Sequence, residues 1–277
     1  LFWRDLVDLA DNSAVHGLVV EREVESMLHE SHVEQLNTIA KRFNASAVAE
    51  LEEKEDLIEV TERRNLYAHQ GGRITAYYLA KAKKAPGDHN PGQSLITEPA
   101  YFDEACNVII LAAIKMTQMV WRAVGGPAKL GAADRDLSQI AYEYLLYQQW
   151  ELAGRILRFA GTVEHSTEQH MLVFAINHAQ AFKWQGNTKA CESVLSKIDW
   201  NAKDQALQLS RAVLLEDYEE AARLMYDVGS TRQVQKSAFD YWPIYRDFRK
   251  SDIYRHVYME LYKQPPPEVD DDETLDL

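Results

Sequence analysis

The sequence predicts an all-α protein built from two domains. Apolar residues recur at three- and four-residue intervals along almost the whole chain, which is the spacing of one face of a helix. No segment sustains the alternation of apolar and polar residues that indicates a strand. Glycine and proline interrupt the helical pattern, most markedly in the Gly-Gly-Pro sequence at residues 125–127. We therefore expect one helical domain over residues 1–125, a second over residues 135–265, and an acidic tail over residues 266–277.

The helices of the first domain can be placed in order along the chain. The apolar pattern predicts helices over residues 2–9, 15–43, 48–69, 74–84 and 102–123, with a loop over residues 85–92. The helix over residues 15–43 is expected to bury Val20, Val24, Met27, Leu28, Leu36, Ile39 and Phe43. The next helix is expected to stop at Gly71 and Gly72, because glycine readily adopts the left-handed conformation that ends a helix.

A short motif returns three times in the second domain. Residues 150–153, 187–190 and 218–221 each open a predicted helix, with alanine in the fourth place. A large apolar residue follows each alanine four positions later, and the alanines are separated by 37 and 31 residues. The pattern resembles the tetratricopeptide repeat, whose period is about 34 residues and whose small residues let paired helices approach closely. The resemblance predicts a helix-hairpin array, against the alternative of an irregular helical bundle.

Composition limits the functions to be considered. The net charge of −13 over 277 residues argues against a protein that coats nucleic acid along its whole surface. The two cysteines, Cys106 and Cys191, suit neither a disulfide framework nor a zinc site, so we expect a cytoplasmic location and no metal. An apolar run at residues 108–114 stops at Lys115, well short of the roughly 18 residues that span a bilayer. No membrane partner and no cofactor are therefore expected.

One stretch of this acidic chain is basic. No Asp or Glu occurs from residue 63 to residue 87, and the stretch carries six positive charges. These are Arg63, Arg64, Arg73, Lys81, Lys83 and Lys84. Such a cluster could be a solvated helix face, or it could attract the phosphates of a nucleic acid.

The basic stretch contains the sequence Arg-Asn-Leu-Tyr-Ala-His at residues 64–69. An arginine precedes three other histidines at a similar distance, so the spacing alone is not informative. The context of His69 is distinctive, because Asn65 lies one helical turn before it on the same face and the predicted helix stop follows at once. Here the chain resembles the HEPN superfamily of all-helical nucleases, whose signature is Arg, a polar residue, three to five further residues and His. The resemblance covers about residues 15–124.

The resemblance implies a metal-independent endoribonuclease of a bacterial defence or toxin type, with its active site at a homodimer interface. His69 would accept the proton of a ribose 2′-hydroxyl, Arg64 would stabilise the charge that grows on the phosphate, and Asn65 would orient the phosphate or the imidazole. The flanking phosphates of the RNA would be held by Arg63, Arg73, Lys81, Lys83 and Lys84. Gly71 departs from HEPN toxins controlled by adenylylation, which carry tyrosine there, so that mode of control is not expected.

Two alternatives remain open at this point. Arg64 and His69 could be a cationic pair that complements the dipole at a helix C-terminus, in a HEPN-like scaffold without activity. The chain could also be a non-catalytic helical adaptor that binds protein partners through residues 135–265. The aromatic stretch at residues 239–245 would serve such an interface, or it would be buried in a helix that closes the array.

Overall fold

A computed structural model describes residues 12–84 and 89–268, and the chain divides into two compact units, Leu1–Gly126 and Pro127–Leu277. Helices make up nearly all of the regular structure in the described residues, which confirms the all-α class. A single antiparallel bridge joins Arg73 to Ser94. The helix predicted over residues 2–9, the first half of the loop predicted over residues 85–92 and most of the acidic tail lie outside the described residues.

The first unit is organised around two helices that pack against each other. Its described helices are α1 (Asn12–Leu28), α2 (His32–Arg42), α3 (Lys54–Gln70), α4 (Ala76–Lys81) and α5 (Pro99–Gly125). Helix α5 packs against α3 and against a short helical turn at Ser46–Val48. One apolar cluster joins α2 and that turn to α5, and a second joins the end of α3 to α4. The C-terminal end of α3 is thereby packed against α4 through its apolar side chains.

The single helix predicted over residues 15–43 is wrong, because the chain breaks at Ser31. The Ser31 hydroxyl accepts a hydrogen bond from the Glu34 backbone N–H at 3.4 Å, and the Glu34 carboxylate accepts one from the Ser31 backbone N–H at 3.0 Å. This reciprocal capping box starts α2 as a separate helix. The break removes the common face that had been predicted. Leu36 is buried, Met27 and Ile39 are half-buried, and Val20, Val24, Leu28 and Phe43 are exposed.

The remaining boundaries of the first unit differ by a few residues from those predicted. Helix α3 begins at Lys54 rather than at residue 48, α4 is only six residues long, and α5 starts three residues earlier than expected, at Pro99. Gly71 has φ of 58° and ends α3, as predicted from its conformational freedom. Helix α5 is also the one described helix that is long and apolar enough to cross a membrane by length and composition alone. Its Lys115, however, is buried and paired with Glu53 at 2.6 Å within the unit.

The second unit consists largely of consecutive helix pairs. Its described helices are α6 (Leu130–Leu146), α7 (Trp150–Ala160), α8 (Glu168–Trp184), α9 (Thr188–Leu195), α10 (Gln205–Leu214), α11 (Tyr218–Ser230), α12 (Lys236–Tyr241), α13 (Arg246–Arg249) and α14 (Asp252–Tyr262). Helix α6 packs on α7, α8 on α9, and α10 on α11. Helix α6 already begins at Leu130, five residues before the domain start predicted at residue 135.

The three pairs share one turn geometry. Each pair is joined by three residues, and the middle one has a positive φ: 58° at Gln148, 75° at Gly186 and 60° at Glu216. In each turn the third residue donates its backbone N–H to the carbonyl five residues earlier, at 2.9, 2.9 and 3.0 Å, which satisfies a carbonyl that the helix end leaves free. The same device at three places identifies a repeated hairpin.

The repeated alanines are buried or half-buried within the helix pairs. Ala153 and Ala221 are fully buried and Ala190 is half-buried. Of the large apolar residues four positions on, Leu157 and Met225 are buried and Val194 packs against the same core. Small side chains at these positions allow close helix contact, as the repeat pattern predicts. That the unit is a tetratricopeptide-like array remains a prediction.

Aromatic packing closes the far end of the second unit. Five aromatic side chains are buried there: Phe239, Tyr245, Phe248, Tyr254 and Tyr258. The ring centroids of Phe239 and Tyr245 lie 5.3 Å apart, and the Tyr254 ring lies 5.2 Å from Phe248 and 5.6 Å from Tyr258. The aromatic residues of the stretch 239–245 are therefore partly buried and partly exposed. Phe239 and Tyr245 belong to this core, whereas Tyr241 and Trp242 are 59% and 47% exposed.

Candidate functional site

The predicted catalytic residues lie in the last two turns of α3. Asn65 and His69 are four residues apart and share one helix face, and Arg64 lies about 140° around the axis from His69 at 100° per residue. Arg64 Nη1 donates a hydrogen bond to Asn65 Oδ1 at 3.1 Å. Arg64 and His69 are exposed and Asn65 is half-buried, so all three can be reached from solvent. The structure brings Arg64 and Asn65 into contact, whereas His69 lies in the last turn of the helix, about 140° around its axis from Arg64.

A buried polar network holds the opposite face of α3. The carboxylate of Glu59 accepts a hydrogen bond from Arg63 Nε at 2.8 Å, one from Tyr78 Oη at 2.6 Å and one from Tyr101 Oη at 2.6 Å. The Arg63 guanidinium also lies over the Tyr101 ring, 3.7 Å from its centroid. One carboxylate thus ties α3 to α4 and α5. The arrangement fixes the rotation of α3 about its axis, and Arg64 and His69 are directed outward as a result.

The protonation of this network follows from its burial. Burial, and then the hydrogen bond to the Glu59 carboxylate, raise the pKa of Tyr78 and of Tyr101 well above the ordinary value near 10. Both phenols therefore stay protonated at neutral pH and remain donors. The sequence alone did not single out Glu59 or Tyr101, and it gave Tyr78 no place in a buried network. The signal that could have indicated part of the network was the Glu59–Arg63 spacing of four residues, which places opposite charges together on a helix.

Arg63 does not fit its predicted role as a phosphate-binding residue. Only 3% of its surface is exposed, and its guanidinium is engaged by Glu59 and Tyr101. Its Nη2 is buried without a hydrogen-bond partner. A phosphate cannot reach the guanidinium unless the α3–α5 contact opens. The correction has a simple cause, since neighbouring residues on a helix point about 100° apart and Arg63 and Arg64 therefore face opposite environments.

The segment after the helix is held by a short backbone pairing. Ile74 N–H donates to the Gln93 carbonyl and Leu95 N–H donates to the Gly72 carbonyl, both at 2.8 Å. The Tyr67 hydroxyl donates to the Leu95 carbonyl at 2.6 Å, and its ring lies against Gly72. Arg73 stands on this pairing and is exposed. The loop that follows the motif is therefore an ordered platform, with one cation projecting from it.

The other predicted phosphate-binding residues differ in their surroundings. Lys84 Nζ is paired with Asp56 Oδ2 at 2.7 Å, and both side chains are partly exposed. Lys81 lies 5.8 Å from the centroid of the Tyr77 ring. The pKa of Glu34 is lowered, mainly by hydrogen bonds to Ser31 and to a smaller extent by the charge of Lys81.

The basic stretch contains no acidic residue, but acidic residues from earlier in the chain lie near two of its lysines. Arg73 and Lys83 are both exposed, and neither has a charged partner among residues 12–84 and 89–268. Exposed pairs such as Lys84–Asp56 are worth about 1 kcal/mol or less, so a phosphate can compete for the lysine. Tyr77, which sequence analysis did not single out, is 62% exposed on the outer side of α4 and adds an aromatic surface to the patch.

A search for a metal site and comparison with known proteins give no further indication of function. In the part of the chain that the structure describes, no group of three or more His, Cys, Asp or Glu side chains is arranged to hold a metal ion. Both cysteines are free thiols. No protein-family model, curated protein or solved structure matches the chain. Any function assigned to this protein therefore has to be inferred from its own residues and their geometry.

Proposed function

We propose that this protein is a metal-independent endoribonuclease that cleaves RNA through the ribose 2′-hydroxyl, with Arg64 and His69 as its catalytic pair. One observation carries the proposal: an arginine and a histidine are both exposed within the last two turns of a helix whose inner face is fixed by a buried polar network. Exposed cations on a rigid support suit a reaction that depends on positioned charge. The likeness of residues 64–69 to the HEPN motif gives the arrangement its chemical interpretation.

The chemistry assigns one task to each side chain. His69 accepts the proton of the 2′-hydroxyl as that oxygen attacks the neighbouring phosphorus, and general-base catalysis of this kind contributes roughly 10² to 10⁴ in rate. Arg64 stabilises the negative charge on the phosphate oxygens, since its guanidinium is permanently charged and bidentate. Asn65, bonded to Arg64 at 3.1 Å, orients the guanidinium. The bond from phosphorus to the 5′-oxygen breaks and that oxygen takes a proton from water, so the products are a cyclic phosphate and a 5′-hydroxyl. His69 then returns its proton to the solvent.

Substrate binding rests on the cations around the pair. Arg73, Lys81, Lys83 and Lys84 are exposed on the same segment and would contact phosphates without reading the base sequence. The charge of −13 over the whole chain makes this local patch the part of the protein best suited to a polyanion.

We further propose a homodimer, in which the Arg64–His69 pairs of two protomers face one RNA strand. Light scattering that gives a mass of one chain at micromolar concentration would contradict that arrangement.

The decisive experiment is RNA cleavage in the presence of EDTA. The purified protein is incubated with transfer RNA and total cellular RNA, beside the variants His69→Ala and Arg64→Ala. His29→Ala is the matched control, because His29 is also an exposed histidine preceded by an arginine in the same unit. We expect cleavage by the wild type and the control, cyclic phosphate ends, and a loss of at least 100-fold in both active-site variants. A single-stranded DNA of the same sequence should remain intact, since it lacks the 2′-hydroxyl.

A second candidate function is supported by the other unit. The helix pairs of residues 130–230 enclose a groove with partly exposed polar side chains, which suits an adaptor that binds a protein segment. If RNA stays intact in every preparation and expression of the wild type is harmless, the adaptor function becomes the better proposal. The two functions are compatible, since the groove and the Arg64–His69 pair belong to different units.

A further inference from the structure

The second unit contains a groove lined by the first helix of each pair. Side chains of α6, α8 and α10 line it, and residues 242–245 close one end. Its volume is about 690 Å³, within the range of roughly 300 to 1,000 Å³ found for ligand sites. The groove therefore has the capacity for several residues of an extended chain.

Two amide side chains in the groove lack partners. Gln180 is 2% exposed, and no described residue forms a hydrogen bond with its side chain. Asn177, one turn earlier on α8, also lines the groove and has no described side-chain partner. Both amides line the groove, and a primary amide can donate and accept hydrogen bonds there. A bound peptide backbone, which offers both a donor and an acceptor, is the ligand chemistry that would satisfy these groups.

The charge of the groove indicates an acidic ligand. Among the described residues that line it there is no Asp or Glu, although the chain contains 43 of them, and Arg135 and His170 supply basic groups. The Asp134 carboxylate lies 3.7 Å from His170 Nδ1, but it is fully buried and accepts hydrogen bonds from the backbone N–H and the hydroxyl of Ser166. The walls are mainly apolar. They include Val173, Ile176, Leu207, Val234 and Ile244.

The chain itself contains a segment of matching chemistry. Residues 269–277 read Val-Asp-Asp-Asp-Glu-Thr-Leu-Asp-Leu, so five acidic residues are combined with two leucines that alternate with an aspartate. An alternating Leu-Asp-Leu sequence in an extended conformation directs the leucines to one side and the aspartate to the other. That pattern suits a groove whose lining includes both apolar side chains and a guanidinium.

Helix α14, which precedes the segment in the chain, ends close to the groove. The Tyr262 ring at the end of α14 lies 6.5 Å from the Phe239 ring, which lies 5.3 Å from the ring of Tyr245, a lining residue. Nine residues can span up to about 30 Å when extended. Residues 263–268 add further length between α14 and the segment, so the connection is long enough.

We propose that residues 269–277 bind in the groove of their own chain, with the leucines against the apolar walls, the carboxylates near Arg135 and His170, and the backbone hydrogen-bonded to Asn177 and Gln180. The segment would act as an internal competitor that any partner of the groove must displace. This proposal is independent of the ribonuclease activity.

A peptide-binding experiment tests the proposal. A fluorescent peptide with the sequence of residues 269–277 is titrated against the whole chain and against a chain that ends at Glu268, which keeps every described helix. We expect the shortened chain to bind the peptide at least ten-fold more tightly, because the attached segment competes at a high effective concentration. Absence of binding to the shortened chain, or equal binding to both forms, overturns the proposal. Equal binding would instead assign the groove to a protein partner.

Variants define where the peptide binds. Arg135→Gln and Asn177→Ala should each weaken binding to the shortened chain at least five-fold. Arg223→Gln is the matched control, since Arg223 is an exposed arginine outside the groove and should leave binding unchanged. A peptide with asparagine and glutamine in place of its acidic residues should bind more weakly, and so should one with serine for both leucines. If Arg223→Gln reduces binding as much as Arg135→Gln, the attraction is general and the site is not the groove.

The whole chain provides a direct measurement of occupancy. A photocrosslinking amino acid replaces Leu275, and the crosslinked peptides are identified by mass spectrometry after irradiation of dilute protein. Crosslinks within one chain to α8, α10 or residues 242–245 are expected. Crosslinks confined to other surfaces would contradict the proposal even if the free peptide binds.

Discussion

The buried ion pair between Glu59 and Arg63 gives the sharpest test of how the first unit is held together. Both side chains are at most 5% exposed, and removing one partner leaves the other as an uncompensated buried charge. Such a loss costs about 3–5 kcal/mol, which is a large part of the 5–15 kcal/mol that stabilises a typical domain. We expect Glu59→Met and Arg63→Met each to destabilise the unit by that amount.

The double variant separates the charge from the packing. With both residues changed to methionine, no buried charge remains, and the cost is limited mainly to the hydroxyls of Tyr78 and Tyr101 that lose their acceptor. At about 1–3 kcal/mol for each hydroxyl, the double variant should lose about 2–6 kcal/mol. The single variants should together lose at least about 6–10 kcal/mol, because Glu59→Met removes the same acceptor in addition to unpairing Arg63. Native-state hydrogen exchange of the α3 and α5 amides measures these values in the whole chain. Additive single and double variants would refute the reasoning, because independent sites add and a shared charge pair does not.

Three further predictions follow from individual contacts. The pKa of His178 is lowered to about 4, first by burial and then by two nearby cations, so the folded state holds fewer protons than the unfolded state below pH 6.5. Stability should therefore fall as the pH is lowered from 6.5 towards 4, by at most about 3 kcal/mol, and His178→Gln should flatten the dependence measured by urea unfolding. Gly72→Ala should destabilise more than Gly71→Ala in thermal unfolding. Both positions have positive φ, but only at Gly72 would a Cβ lie 2.9 Å from the Tyr67 ring. Ala221→Leu should cost about 1–3 kcal/mol by overpacking the α10–α11 contact, and a neutral effect in denaturant titration would show that the repeated alanine is not required for packing.

Several features of the fold could be predicted from the sequence because their causes are local. The spacing of apolar residues depends on the helix period alone, so it predicts the all-α class without knowledge of any partner. The end of α3 at Gly71 likewise depends on the conformational freedom of one residue. The alanines of the repeat were informative, since close helix contact requires a small side chain wherever the helices come from. The missed helix start at Ser31 was also local, and the Ser-x-x-Glu sequence at residues 31–34 contained the signal.

Other features were decided only by tertiary structure. The sequence showed six cations between residues 63 and 84, but it could not show that Arg63 turns inward to Glu59 while Arg64 turns outward. Nor could it show that Asp56, from the preceding turns of α3, lies beside Lys84. Charge density along a chain is a one-dimensional quantity, whereas the field that a phosphate encounters depends on which charges are neighbours in space.

The same distinction applies to the candidate sites. The sequence by itself determined the helical class and the order of the motif Arg64-Asn65 and His69, because helix period and residue chemistry are properties of the chain. Tertiary structure brings Tyr78 and Tyr101 to the carboxylate of Glu59. It also brings helices that are far apart in sequence around one groove, whose described lining residues include no carboxylate. The physical reason is that burial and desolvation arise only when distant segments pack together, and they determine whether a given side chain supports the structure or contacts a ligand.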